Sequence, residues 1–155
     1  MRFTGKSSVL AAVLVVSIVA AWQAAAKDET STDKALPPIV RVGLEAYKTE
    51  GAEQAMKAWM KGRPGEDLGS WATQIAAFGS VEHQYGSYRG YEVVDAHQLC
   101  ESTRTVYLVM NYDRGPLFVG FTCYRGDDSE IVLQMAYNLS ATAIFPPALL
   151  THVKL

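Results

Sequence analysis

The sequence predicts an α+β domain in which N-terminal helices pack on a four-stranded antiparallel meander. Apolar residues recur at helical spacing up to about Gly79, and from there onward they alternate with period two. Helices that precede a run of strands are typical of an α+β fold. The chain has 155 residues and is 49% apolar, which favours one folded domain over a disordered or repetitive protein.

The first 26 residues predict a cleaved signal peptide. Arg2 and Lys6 give a positive start, residues 9–21 form an apolar run, and the small residues Ala24 and Ala26 suit cleavage after Ala26. As a helix that run rises about 20 Å, less than the hydrocarbon core of about 30 Å, so an uncleaved anchor is the weaker alternative. We therefore expect export to the periplasm or the extracellular space, with no membrane attachment after cleavage.

Two parts follow the signal peptide. Residues 27–36 are polar and predict a flexible leader, and residues 37–155 form the α+β domain. The net charge of −2 argues against a nucleic-acid-binding surface. Phosphate-binding loops and serine-nucleophile motifs are absent from the sequence, and the three histidines have no metal-ligand spacing. We therefore expect neither a cofactor nor a metal ion.

Three helices are predicted at the start of the domain. The first opens at Pro37, because proline is tolerated in a first helical turn, and ends at Gly51. The second covers residues 52–61. The third covers residues 66–78 and is closed by Gly79. Its apolar residues form one stripe that must be covered: Leu68, Trp71, Ile75 and Phe78.

Four strands are predicted after the helices, at residues 91–100, 103–112, 116–124 and 129–138. Pairing the two middle strands assigns one apolar face to Val106, Leu108, Met110, Tyr112, Leu117, Val119, Phe121 and Cys123. The opposite face carries Tyr107, Val109, Asn111, Phe118, Gly120 and Thr122. Since both faces are largely apolar, the second face also needs a cover. Strong sheet curvature, a tail folded back at residues 140–150, or a second subunit would each supply it.

The two cysteines, Cys100 and Cys123, lie in predicted strands that flank a third strand. Two strands that flank a third lie roughly 9–10 Å apart, whereas the Cα atoms of a disulfide lie about 4.4–6.8 Å apart. We therefore expect free buried thiols rather than a disulfide, although an exported protein permits either.

Short strand and turn segments carry a resemblance to known domains: GYEVV at residues 90–94, YLVMNY at 107–112, GPLF at 115–118 and IFP at 144–146. With three preceding helices, the chain resembles the cystatin-like α+β folds, and among them the nuclear-transport-factor-two-like group, including small uncharacterised exported bacterial proteins. The resemblance covers residues 37–148 and implies a cone-shaped curved sheet. That group includes ketosteroid isomerase, dehydratases and non-enzymatic modules, so it implies no single activity. The catalytic residues of the isomerase match no residue here.

The main functional hypothesis is an exported, non-enzymatic module that binds a small apolar ligand or a protein partner. It follows from the absence of a catalytic motif and from the apolar concave sheet. A ligand cavity would be lined by Leu108, Met110, Val119 and Phe121, together with helix residues.

The alternative is a small isomerase, dehydratase or hydrolase. Asp95 and His97 are two residues apart in one predicted strand and therefore share a face, where the carboxylate would orient the imidazole as a general base. The hairpin register would place Tyr107 near His97. A solvated strand edge explains the same residues without catalysis.

A homodimer through the sheet is the last prediction from the sequence. An exposed second face would present Tyr107, Val109, Phe118 and Tyr137 as one apolar patch. A two-fold dimer would cover that patch with its own copy. The tail would cover it within one chain instead, through Phe145 and the leucines that follow.

Overall fold

The computed structural model describes residues 36–64, 68–127 and 129–151, and the predicted signal peptide and residues 27–35 of the leader lie outside them. In these ranges helices precede a four-stranded antiparallel sheet in the order β1-β2-β3-β4, which confirms the predicted fold class. The first helices are α1 (Pro38–Glu50), α2 (Ala52–Met60) and α3 (Leu68–Tyr85). The strands are β1 (Tyr88–Cys100), β2 (Thr103–Tyr112), β3 (Gly115–Arg125) and β4 (Glu130–Asn138). Two one-turn helices follow, α4 (Ala141–Ile144) and α5 (Pro147–Leu150).

Glycines set two of the helix ends. Gly51 separates α1 from α2 at a φ of +90°, a conformation that favours glycine, as predicted. Gly79 does not close the third helix, so that prediction is wrong. The helix continues to Tyr85 and is followed by Gly86, whose φ is +82° and whose N–H donates to a carbonyl of the last turn. A glycine inside a helix costs only about 1 kcal/mol, and the longer helix buries Val81.

The predicted division of the two middle strands into faces is confirmed. Leu108 pairs with Val119 and Val106 with Phe121. We call the side that carries these residues the inner face, because the helices cover it. Every residue predicted for it in β2 and β3 is buried: Val106, Leu108, Met110, Tyr112, Leu117, Val119, Phe121 and Cys123. The other side of the sheet is the outer face.

Trp59 of α2 fills the centre of the space between the helices and the inner face. Its indole N–H donates to the carbonyl of Val40 at 3.1 Å, and its ring lies 5.1 Å from that of Phe121 and 5.8 Å from that of Phe78. The helix α1 comes so close that a Cβ placed on Gly43 would lie 1.9 Å from the indole nitrogen. Only glycine therefore fits at this crossing.

The tail covers the outer face within one chain, which is one of the three covers that the sequence leaves open. Phe145 is 6% exposed, and its ring lies 5.8 Å from Tyr107 and 5.4 Å from Phe118. Both ring pairs are edge-to-face, a favourable aromatic geometry. Tyr137 was predicted in the same outer patch, and this is wrong, because it pairs with Val119 of the inner face.

Four β-bulges interrupt the pairing of the edge strands. In β1 the extra residues are Arg89, Val94 and Leu99, five residues apart, and in β4 the extra residue is Leu133. A bulge shifts the alternation of side chains by one residue and bends the strand. The three bulges let the 13 residues of β1 pair with the 10 residues of β2.

Candidate functional site

The structure brings the predicted Asp95, His97 and Tyr107 together on the outer face. No bulge separates Asp95 from His97, so both side chains lie on one side of β1, and Asp95 pairs directly with Tyr107 of β2. His97 Nδ1 bonds to a carboxylate oxygen of Asp95. The imidazole ring lies 6.5 Å from the Tyr107 ring, which also packs on Phe145. The Asp–His geometry expected from the spacing is therefore present.

The chemistry available to this pair is to orient an imidazole and accept a proton. An ionised carboxylate only accepts hydrogen bonds, so Nδ1 of His97 carries the proton and Nε2 is the nitrogen left for a ligand. The side chains of Asp95 and His97 are 31% and 46% exposed. Water therefore reaches both groups, which suits a contact surface better than an enclosed reaction centre.

The polar row continues along β1 beyond this pair. Glu92, on the same outer face, accepts a hydrogen bond of 2.7 Å from the amide of Asn111 in β2. Together Glu92, Asp95 and His97 give the outer side of β1 two carboxylates and one imidazole. In the described ranges no three histidine, cysteine or acidic side chains are grouped so that they could hold a metal ion.

The predicted ligand-lining residues lie in the core. Leu108, Met110, Val119 and Phe121 are fully buried between the sheet and the helices. The space over Phe121 is occupied by the indole of Trp59. That these four residues bind an apolar ligand stays a prediction, and such a ligand would have to displace core side chains.

The bare edge of the sheet extends the solvated strand edge that the sequence offered for Asp95 and His97, and its apolar bulges are the feature that sequence reasoning missed. The backbones of α1, α2 and α4 approach β4 more closely than β1, so β1 is the less covered edge strand. Two of its bulge residues, Val94 and Leu99, are 39% and 59% exposed. The adjacent apolar pair of Val93 and Val94, within an otherwise alternating strand, is the signal that could have indicated a bulge here.

Asp113, in the turn between β2 and β3, fixes the start of β1. Its carboxylate accepts hydrogen bonds from the backbone N–H of Ser87 at 2.8 Å and from the Arg89 guanidinium at 2.5 Å. These two interactions, the Ser87 bond first, hold the pKa of Asp113 below its usual value. The bulge residue Arg89 is therefore engaged within its own chain.

Both cysteines are free, as predicted, but they differ in environment. Cys123 is buried on the inner face, and burial raises the pKa of its thiol to about 12. Cys100 is exposed at the end of β1, so the prediction that both thiols are buried is wrong for this residue. Hydrogen bonds with Thr103 and then Ser102 lower the pKa of the Cys100 thiol.

Comparison of the chain with protein families, with curated proteins and with solved structures gives no match. Among the helices of the described ranges, none combines the length and the apolar character needed to cross a membrane.

Proposed function

We propose that the protein is an exported, non-enzymatic binding module whose partner is another protein chain. The observation that carries the proposal is the bare edge of β1, where Val94 and Leu99 expose large apolar side chains. An edge strand also presents backbone N–H and C=O groups without a neighbouring strand, and these groups bind extended protein segments. Apolar contacts and main-chain hydrogen bonds are then available at one place.

A protein partner is favoured over a small apolar ligand by the filled interior. Trp59 has almost no exposed surface and contacts the ring of Phe121, and the crossing at Gly43 has no room for even one added carbon atom. Interiors packed in this way leave little space for a guest molecule. The apolar surface that remains accessible on the strands lies on β1, on β4 and at Tyr124 of β3.

Crosslinking from the edge tests this proposal. A photoreactive side chain at Leu99 should capture a discrete protein adduct in the producing cells, whereas one at Leu139, which is 48% exposed and lies outside β1, should not. Equal adducts from both positions, or none from either, would contradict binding at this edge. Native mass spectrometry of the purified protein covers the other hypothesis, since a retained small molecule would favour an apolar ligand.

A second candidate function, a small isomerase, dehydratase or hydrolase, is supported by the bond between His97 and Asp95. The matched variants are His97→Asn and Asp95→Asn, which keep the strand and remove the imidazole or the carboxylate. Turnover of a panel of esters, hydroxyacyl compounds and unsaturated ketones that is lost in both variants would establish an enzyme. Equal background rates in all three proteins would leave binding as the function.

A further inference from the structure

We propose that the partner at the β1 edge is a second copy of the chain, paired antiparallel around a two-fold axis between Val94 and Asp95. The inference rests on the proposed function, that this edge binds protein, and it names the occupant. Pairing would join the two sheets into one of eight strands. A two-fold interface needs a surface that is complementary to itself, and β1 meets this condition in three ways.

The bulge at Val94 brings the two strands into phase. Glu92 and His97 are five residues apart, which in a regular strand would put them on opposite faces. The bulge between them places both on the outer face. In the proposed register Glu92 then lies opposite the partner's His97, and Val93 lies opposite the partner's Ala96, both on the inner side.

Charge selects this register over its neighbours. It places the Glu92 carboxylate opposite the partner's imidazole twice, once on each side of the axis. The contact uses the imidazolium form of His97, in which Nδ1 donates to Asp95 and Nε2 donates to Glu92. Sliding the strands by one residue puts outer side chains opposite inner ones. Sliding the strands by two residues in one direction puts Glu92 opposite the partner's Asp95, where like charges repel. Sliding them by two in the other direction puts the outer residue Asp95 opposite the partner's inner residue Ala96. Among these registers, the proposed one alone keeps outer residues opposite outer residues and also avoids like charges across the central bulge.

The shape of the edge matches the same register. Leu99 lies opposite the partner's Gly90, and the space beside the α-carbon of Gly90 is open, with no atom within 4 Å of the position that a side chain would take. The leucine, 59% exposed in one copy, would fill that space in both halves of the dimer. Val94 would lie opposite the partner's Asp95, and the two copies of Val94 would flank the axis. Two of the three bulge residues of β1 are apolar, and the charged one, Arg89, is bonded to Asp113 of its own chain.

The other edge of the sheet provides the control. Leu133 is the bulge residue of β4, and its exposure of 41% is close to the 39% of Val94. Helices approach that strand, and the turn after α2 reaches it, because a Cβ placed on Gly62 would lie 3.3 Å from the side chain of Ile131. Its edge is therefore less open to a second copy.

Variants with one surface cysteine, in which Cys123 stays buried, test the register. In a Cys100→Ser background, Val94→Cys should form a disulfide-linked dimer under mild oxidation, because the two α-carbons beside the axis lie within the roughly 4.4–6.8 Å that a disulfide spans. Leu133→Cys in the same background should form no disulfide-linked dimer. Equal crosslinking of the two variants, or none with Val94→Cys, would overturn the proposal.

Sedimentation of the full chain at micromolar concentration tests the association itself. The unmodified protein should have the dimer mass, Leu99→Lys should weaken the dimer by about tenfold or more, and Leu139→Lys should leave it unchanged. Circular dichroism checks that each variant is folded. A monomer mass would overturn this inference, whereas the proposed function, binding of a protein at this edge, would still be tested by the crosslinking from Leu99. A dimer that Phe118→Lys dissociates and Leu99→Lys does not would also overturn it, in favour of the sheet-face dimer.

Discussion

The two faces of the sheet are covered in different ways. Three helices from the first half of the domain pack on the inner face, and Trp59 lies so close to Gly43 that the contact permits no side chain there. Two helices of one turn each follow the last strand, and on the outer face one aromatic ring, that of Phe145, contacts both Tyr107 and Phe118. The inner face is therefore covered by a layer of helices, whereas the outer face is covered by the short segment that contains Ile144 and Phe145.

This difference separates stability from recognition. Inner-face side chains are interlocked, so a change in volume there must be absorbed by the backbone. On the outer face the polar side chains of Glu92, Asp95 and His97 stay accessible beside the covered patch. We expect substitutions on the inner face to act on folding, and substitutions on β1 to act on binding.

The largest contrast is expected between the two thiols. The pKa of Cys123, about 12 against a usual 9.0, implies roughly a thousandfold smaller thiolate fraction than an ordinary thiol, while the pKa of Cys100 is lowered. One thiol should therefore react with an alkylating reagent in the native protein at pH 8 and two in denaturant, as counted by mass spectrometry. Cys100→Ser should abolish the native reaction. Rapid native alkylation of Cys123 would contradict an interlocked inner face.

The next largest effect is expected from Gly43→Ala. Alanine normally stabilises a helix relative to glycine by up to about 1 kcal/mol, but here its methyl group would overlap the Trp59 indole. We expect the free energy of unfolding in urea to fall by about 3 kcal/mol. The control is Gly120→Ala on the outer face, where the nearest side-chain atom is 3.4 Å from the added carbon, and we expect little change. Equal losses in both variants would remove the contrast between the faces.

A smaller effect is expected from Phe145→Ala, because the ring is buried by one short segment rather than between the helices and the sheet. Loss of its contacts with Tyr107 and Phe118 should lower the free energy of unfolding by about 2 kcal/mol. The exposed outer patch should also bind a hydrophobic dye, which the unmodified protein should not do. Unchanged stability and no dye binding would show that the tail contributes little to the outer face.

Period-two alternation made the middle of the sheet predictable. The strands β2 and β3 pair without a bulge, so each inner residue found from the sequence is buried in the structure. The same alternation correctly placed Asp95 and His97 on one face, because β1 has no bulge between these two residues. Predictions from the alternation of apolar residues were therefore confirmed where the strands pair without a bulge.

The predictions were wrong where tertiary contacts outweighed local pattern. Gly79 is a helix-ending residue by composition, but burial of Val81 carries α3 past it. Tyr137 was assigned to the outer patch, whereas its pairing with Val119 puts it on the inner face, where its ring packs on Phe78. A solvated strand edge at Asp95 and His97 was one interpretation of the sequence, but which of the two edge strands the helices leave less covered is decided by packing across the whole domain.

The position of Phe145 near the end of the chain has a consequence for the order of folding. Each strand pairs with the next one along the chain, so hairpins close from nearby segments, which favours rapid folding. The ring that closes the outer face comes after the last strand, and it can dock only on a sheet that has already formed. In the interval before docking, Tyr107 and Phe118 are exposed to other chains, and transiently exposed apolar surface of this kind favours aggregation.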